Sequence, residues 1–301
     1  MKDQSISVVV PTYNRPESLR KALLSALNQQ EVNITEILVI NDSTDESPVQ
    51  TVLQEMGDSR IKYFRNERKK GGNGARNTGI INAKGEFIAF LDDDDEWFPE
   101  KLSHQLTYLL ENPERNGVFS GYKIKLKKKW KIRTFRVSSL RIEDVILNRV
   151  SIGSSSNLLF RSKIFDEVGL WDEDMFRQQD LELLVRILSH KEIGYDHHIV
   201  MKVHGRHNPE PRKAYLGQEI YFEKMRSYFQ LLSETDKKIF YSNHLRRLSM
   251  FCIQLGEINK AFKLYQEAMG YRLISPNKDF KNLYFLLTGF FFGKRAGTMC
   301  F

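Results

Sequence analysis

The sequence predicts an α/β fold, a mostly parallel sheet with helices on both faces, followed by an all-helical C-terminal region. Three observations carry this reading. Short β-branched runs alternate with helical patterns between residues 6 and 111. Polar loops follow the predicted strands at their carboxyl ends. Beyond the break "NPEPRK" (208–213) the apolar spacing is helical. Strand–helix alternation at this pitch favours parallel strands joined by right-handed crossovers.

Ile6–Val10 is a buried strand that Pro11 ends. From Pro16 onward, Leu19, Ala22, Leu23, Ala26 and Leu27 recur at helical spacing, with proline suited to the first turn. Ile37–Ile40 is a second strand, closed by the turn-forming Asn41-Asp42-Ser43. A helix over 49–56, a third strand at Ile61–Phe64, a helix over 74–84 and a fourth strand over 86–91 follow. Pro99 opens a helix that runs to about Glu111. After residue 115 the pattern changes. "YKIKLKKKWKIR" (122–133) alternates apolar and basic residues, which predicts strands with one basic face. Asn157–Phe160 reads as a short strand, Asp180–Ser189 as a helix with Leu181, Leu184, Val185 and Leu188 on one face, and 199–204 as a last strand. The domain boundary falls at about 210, which separates residues 1–210 (halves 1–114 and 115–210) from 211–301. In "LGEINKAFKLYQEAM" (255–269), Gly256, Ala261, Tyr265 and Ala268 have the offsets of one tetratricopeptide-like hairpin, with Pro276 near its expected end.

A chain of 301 residues with 41% hydrophobic content supports a sizeable core and argues against wholesale disorder. The net charge of +8 suits anionic partners without choosing among nucleic acid, lipid headgroups and phosphorylated small molecules. Two cysteines, Cys252 and Cys300, form no metal-ligand spacing and no disulfide framework, as in a reducing cytosol. Ile6–Val10 is too short for a signal peptide. The apolar stretch Leu283–Phe292 is about half of the roughly 20 residues needed to span a bilayer.

The chemistry concentrates in "FLDDDDEW" (90–97), where four aspartates end a greasy strand. If the extended geometry persists, Asp92 and Asp94 share a face and Asp93 takes the other. A solvated acidic turn and a site for a hard cation both remain open. Mg²⁺ or Mn²⁺ in an Asp-x-Asp pair keeps waters and takes phosphate oxygens as further ligands. "GGNGARNTG" (71–79) fails as a dinucleotide fingerprint, because Asn77 stands where the third glycine belongs; it leads into a helix with Arg76 placed to meet an anion. His197, His198, His204 and His207 cluster, either as surface histidines or as ligands. Residues 123–136 hold eight Lys or Arg, either a solvated strand face or a patch facing phosphate or a membrane surface.

Taken together, "VVVPTYNR" (8–15), "VINDSTDES" (39–47), "GARNTGIINAKGEFIAFLDDDDEWFPEKL" (74–102) and "QQDLELLVRI" (178–187) resemble, in order, the motifs of family 2 glycosyltransferases. The resemblance covers residues 5–207 and implies the GT-A fold, with a nucleotide-binding half and an acceptor-binding half. It implies that Pro11, Thr12, Tyr13 and Asn14 wrap the nucleotide and that Asp42 contacts the base. Arg76, Asn77 and Asp93 fall in the donor-binding set. Asp94 matches the metal ligand and Asp92 the ribose-side member of the pair, also counted with the metal. Asp180 matches the catalytic base, and His204, with His207 as its rival, a histidine near the metal. "VGLWDEDM" (168–175) is similar to an acceptor-side segment, with Trp171 in place of the usual phenylalanine. Gln179 departs from the family pattern, standing where a glutamate precedes the base.

The implied activity is inverting, metal-dependent transfer from a nucleotide-sugar, UDP-sugar first, to a hydroxyl of a saccharide or lipid-linked acceptor in surface polysaccharide synthesis. The expected place is the cytoplasm, on the inner membrane face if the basic stretch and "LYFLLTGFFFGKR" (283–295) dock there. Two rivals stand beside it. An Asp-x-Asp phosphotransferase wants Thr or Val where Glu96 stands. A nucleic-acid-binding protein leaves the strand-end loops unexplained and lacks stacked aromatics, so no nucleic acid is expected.

Overall fold

The computed structural model describes residues 4–126, 129–204 and 210–271. The described chain divides into two compact units. The first holds the residues to Val145 and from Val150 to His204; the second holds Ile146–Arg149 and the helices from Pro211 onward.

The first unit begins β1 (Ser5–Thr12), α1 (Pro16–Leu27), β2 (Asn33–Asn41), α2 (Ser47–Met56), β3 (Ile61–Arg65), α3 (Gly72–Asn82) and β4 (Phe87–Phe90). It continues with β5 (Asp95–Trp97), α4 (Lys101–Glu111), β6 (Arg115–Leu126), β7 (Lys129–Arg133), β8 (Ser139–Leu140) and α5 (Ile142–Ile146). β9 (Leu159–Arg161), α6 (Ile164–Val168), α7 (Gln179–Leu188) and β10 (Glu192–Val203) complete it. One ten-stranded sheet runs β3-β2-β1-β4-β9-β6-β10-β5, with β7 added to β6 and β8 to β10.

β1, β2, β3 and β4 pair in parallel, as the β-α alternation predicts. The second half of the sheet is mixed, which narrows the mostly parallel expectation. β9 runs antiparallel to both β4 and β6, while β10 is parallel to β6 and antiparallel to β5. The last strand is also longer than the 199–204 read from sequence, and Asn157 belongs to a 3₁₀ turn ahead of β9.

Side chains alternate across β1. Val8 and Val10 join the core with Leu19, Leu23, Val49 and Leu106 of α1, α2 and α4. Val9 faces the other way, onto α3, where a Cβ on Gly79 would lie 2.3 Å from Val9 Cγ1. Only glycine lets that helix approach so closely. Gly74 serves the same end: its Cβ would meet the Lys69 carbonyl oxygen at 1.9 Å. Gly74 and Gly79 of "GGNGARNTG" therefore seat the helix.

The second unit holds α8 (Pro211–Arg226), α9 (Glu234–Leu255) and α10 (Ile258–Tyr271). Gly256 closes α9 in the left-handed conformation, φ +79°. Ala261, Tyr265 and Ala268 of α10 are buried, and Cys252, Ala261 and Tyr265 share one apolar cluster. No described helix is long and apolar enough to cross a membrane. Pro276, Cys300, His207 and the stretch 283–295 lie outside the described residues.

Candidate functional site

Three strand ends build an open cleft of about 310 Å³, lined by Pro11, Thr12, Tyr13 and Arg15 after β1, Asp42 after β2, Gly72, Ala75 and Arg76 of α3, and Asp92, Asp93 and Asp94 after β4. Ligands of open α/β sheets collect at such carboxyl ends.

The four aspartates do not stay extended. The Asp95 N–H donates to the Asp92 carbonyl at 3.1 Å, so the chain turns at Asp93-Asp94. Their burial still alternates: Asp93 and Asp95 are buried, Asp92 and Asp94 half-open. The Asp93 carboxylate accepts from the Thr12 hydroxyl at 2.9 Å and the Tyr13 N–H at 3.3 Å. Burial lifts its pKa above the ordinary value, although those bonds and the Arg15 charge oppose the rise. Asp95 accepts from the hydroxyls of Ser154 at 2.5 Å and Ser156 at 2.7 Å. Burial, with repulsion from Asp92, pushes its carboxyl up to about 7. Asp93, counted with the donor-binding set, and Asp95, given no role by the sequence, thus hold the turn in place.

The half-open pair meets cations. Arg76 Nη2 lies 2.6 Å from Asp92 Oδ1, which also accepts from the Ser155 hydroxyl at 3.0 Å. Arg76 is buried and stacks its guanidinium 5.0 Å from the Trp171 ring centroid. Arg15 Nη1 bridges Asp93 Oδ1 at 3.1 Å and Asp94 Oδ2 at 2.7 Å. Burial disfavours the Arg15 charge, but Asp93 and Asp94 outweigh it and hold the group above its usual value.

Asp42 is fixed from the opposite wall by the Asn66 amide at 2.6 Å and the Gly71 N–H at 2.8 Å. Asn14 takes the left-handed conformation, φ +54°, and its N–H donates to Ser43 Oγ at 2.9 Å. Tyr13 stays 47% exposed at the cleft wall, with Lys70 Nζ 5.0 Å from its ring centroid.

Of the expected donor-binding residues, Asn14 is not among those lining the cleft, and neither is Asn77. Its buried amide donates to the Trp171 carbonyl at 2.9 Å and to Glu173 at 2.7 Å, and accepts from the Trp171 N–H at 2.9 Å. Asn73 adds bonds to the carbonyls of Asp172 and Met175. α3 thus pins "VGLWDEDM" by its backbone. Asp180 sits in the first turn of α7, accepting from the Leu181 N–H at 3.1 Å. His204 Nε2 pairs with Glu96 Oε1 at 2.7 Å and meets the Trp130 ring edge-on. Neither Asp180 nor His204 is among the described residues lining the cleft.

Sequence reasoning missed Arg15 and the serines 154–156. Arg15 lay inside a quoted motif without a role, and "GSSSN" offered only a polar run ahead of a strand.

The cleft fits a hard divalent cation by donor chemistry. Its carboxylates are oxygen donors with no thiol or imidazole beside them. Among the described residues no three His, Cys, Asp or Glu side chains form a metal-holding group. A cation here would therefore complete its shell with water and phosphate oxygens.

An acidic turn and a buried arginine thus meet at the strand ends of one sheet. The family model "Glycosyl transferase family 2" matches residues 7–169, and the chain belongs to that family. An uncharacterized glycosyltransferase of Rickettsia felis is 35% identical over 207 residues, 65% of this chain and 33% of that protein. This chain therefore spans about a third of that relative's length. The UDP-Glc:alpha-D-GlcNAc-diphosphoundecaprenol beta-1,3-glucosyltransferase WfgD of Escherichia coli is 42% identical over 112 residues, 37% of this chain and 44% of that protein. The crystal structure of S. aureus TarS 1-349 in complex with UDP-GlcNAc superposes with a TM-score of 0.64, covering 96% of this chain and 91% of that one. At 18% identity that likeness establishes the shared GT-A fold alone.

Proposed function

We propose that this chain is an inverting glycosyltransferase. It moves a sugar from a nucleotide-sugar, with UDP-sugar the first choice, to a hydroxyl of a saccharide or lipid-linked acceptor in surface polysaccharide synthesis. The observation that carries the reading is the convergence of Thr12, Asp42, Arg76 and Asp92–Asp94 on one strand-end cleft. Family membership supports the reaction type. The names of WfgD and of the TarS complex support a UDP-linked donor.

Pro11, Thr12, Tyr13 and Asn14 wrap the nucleotide, and Asp42 meets the base from the far wall. Asp93 serves indirectly, by fixing Thr12 and the Tyr13 N–H. Arg76, seated on Asp92, presents positive charge to the diphosphate as it departs. Asp94 with Asp92 would hold Mn²⁺ or Mg²⁺, which would neutralise charge on the leaving diphosphate. His204, expected as a third ligand, would have to leave Glu96 to join them. Asp180 takes the proton of the acceptor hydroxyl while that oxygen attacks the anomeric carbon. The bond to the nucleoside diphosphate breaks on the opposite side, so configuration inverts without a covalent enzyme intermediate. The cytoplasm, at the inner membrane face, is the place this chemistry fits.

Calorimetric titration of UDP and GDP, with and without Mn²⁺, tests the reading. Wild type should bind UDP more tightly with Mn²⁺, and Asp94→Ala should lose that enhancement. Wild type binding neither nucleotide in either condition would sink the proposal.

A further inference from the structure

β6 and β7 form an antiparallel ribbon at the side of the sheet, paired from Tyr122↔Arg133 to Leu126↔Lys129. Its inner end is anchored: Tyr122 and Ile124 are buried in the core. Among the described residues its outer strand is open: all five residues of β7 are exposed, and Trp130 meets only the His204 ring, edge-on. The register sorts the side chains. Lys125 stands opposite Trp130 and Lys123 opposite Ile132, so these four share one face. Lys129, Lys131 and Arg133 lie on the other face of a ribbon only two strands wide. Trp130 is 42% and Ile132 56% exposed, an unusual pair to leave in water. Among the described residues, none of Lys125, Lys129, Lys131 and Arg133 has a carboxylate partner, although the chain makes many ion pairs elsewhere.

We propose that the β6–β7 ribbon is a docking element for an anionic lipid surface, with Trp130 and Ile132 entering the headgroup layer and the surrounding lysines meeting lipid phosphates. The inference rests on the proposed reading of a lipid-linked acceptor and names the part of the chain that reaches it. Unpaired cations flanking exposed apolar side chains suit a headgroup layer, where charge and hydrocarbon lie within a few ångströms. A tryptophan is at home there because its ring is apolar and its N–H is polar. A nucleic acid would use the same cations but wants several stacked aromatic rings, and the ribbon offers one.

The test is co-sedimentation of the full chain with vesicles of phosphatidylcholine, with and without phosphatidylglycerol. Binding is expected only with phosphatidylglycerol. Each cation near an anionic leaflet is worth about fivefold in affinity, so Lys125→Gln/Lys129→Gln/Lys131→Gln should bind roughly a hundredfold more weakly. Of the three tryptophans, Trp97 and Trp171 are buried, so a change of emission on vesicles reports Trp130. Its emission should shift to the blue on vesicles and the shift should vanish in Trp130→Phe. Equal binding to both vesicle types, an unweakened triple variant, or preference for an RNA oligonucleotide that the triple variant loses would each overturn the proposal. UDP titration of the same samples separates the two readings. Vesicle binding without nucleotide binding counts against the transferase alone; nucleotide binding without vesicle binding counts against the ribbon alone.

Discussion

Arg15 Nη1 stands 2.7 Å from Asp94 Oδ2 and 3.1 Å from Asp93 Oδ1, so a guanidinium engages one carboxylate oxygen of the proposed metal ligand Asp94. The Arg15 side chain is 44% and the Asp94 side chain 38% exposed, which screens the pair and makes it exchangeable. Arg15→Ala is expected to raise Mn²⁺ affinity in the absence of nucleotide by about fivefold, the scale of a partly exposed ion pair. Titration followed by electron paramagnetic resonance of free Mn²⁺ checks this. An unchanged or weaker affinity would show that Arg15 does not compete.

Asp180 tests the proposed base separately from donor binding. Asp180→Asn keeps the size of the side chain and removes its basicity. Transfer should fall by roughly 10²–10⁴, the range of general-base contributions, while UDP affinity stays within twofold. Undiminished product formation by this variant would remove Asp180 from the reaction.

Asn77 is expected to act on stability instead of donor affinity. All its amide bonds go to the Trp171–Glu173 segment, across 94 to 96 residues of sequence. Asn77→Ala removes the partner of both the Trp171 N–H and the Trp171 C=O, at a cost of about 2 kcal/mol. For a unit of about 200 residues that lowers the melting temperature by roughly 4–8 °C. A melt by circular dichroism, with UDP titration below the transition, distinguishes this role from direct donor contact.

His244 predicts a pH effect in the helical unit. Burial, then the nearby Arg247 charge, pushes its pKa down from 6.5 to about 4. The neutral ring fits its surroundings: Gln218 Nε2 lies 3.2 Å from Nδ1, and Nε2 lies 3.3 Å from Glu219 Oε1, ready to donate. The unfolded chain binds the proton more readily than the folded one, so stability is full above about pH 6.5 and falls as pH drops towards 4. The loss reaches at most about 3 kcal/mol. Denaturant titrations at pH 7.5 and pH 4.5 should differ less for His244→Gln; an identical difference would exclude this histidine as the source.

The contrast between what could and could not be read lies in the length scale of the forces. β1, α1, β2 and α4 were legible because apolar periodicity is local, and a buried face repeats within a few residues. Asp42, Arg76 and Asp92–Asp94 were legible because strand ends converge in this class of sheet. The mixed half of the sheet was not, since β9 pairs with β4 and β6 over distances that no local pattern encodes. Asn77 falls in the donor-binding set by its motif, yet its amide bonds go to residues 94 to 96 positions onward.

By itself, the sequence determined the α/β class, the order of the four motifs and the family. It also marked the acidic turn as the place where charge must be compensated. Only the tertiary structure decided how. Four identical side chains in a row differ through their partners alone: Thr12 and Arg15 for Asp93, Arg76 and Ser155 for Asp92, Arg15 for Asp94, Ser154 and Ser156 for Asp95. Those partners come from 16 to 81 residues away. Charge compensation is a matter of distance in space, and folding alone brings such groups to within 3.1 Å.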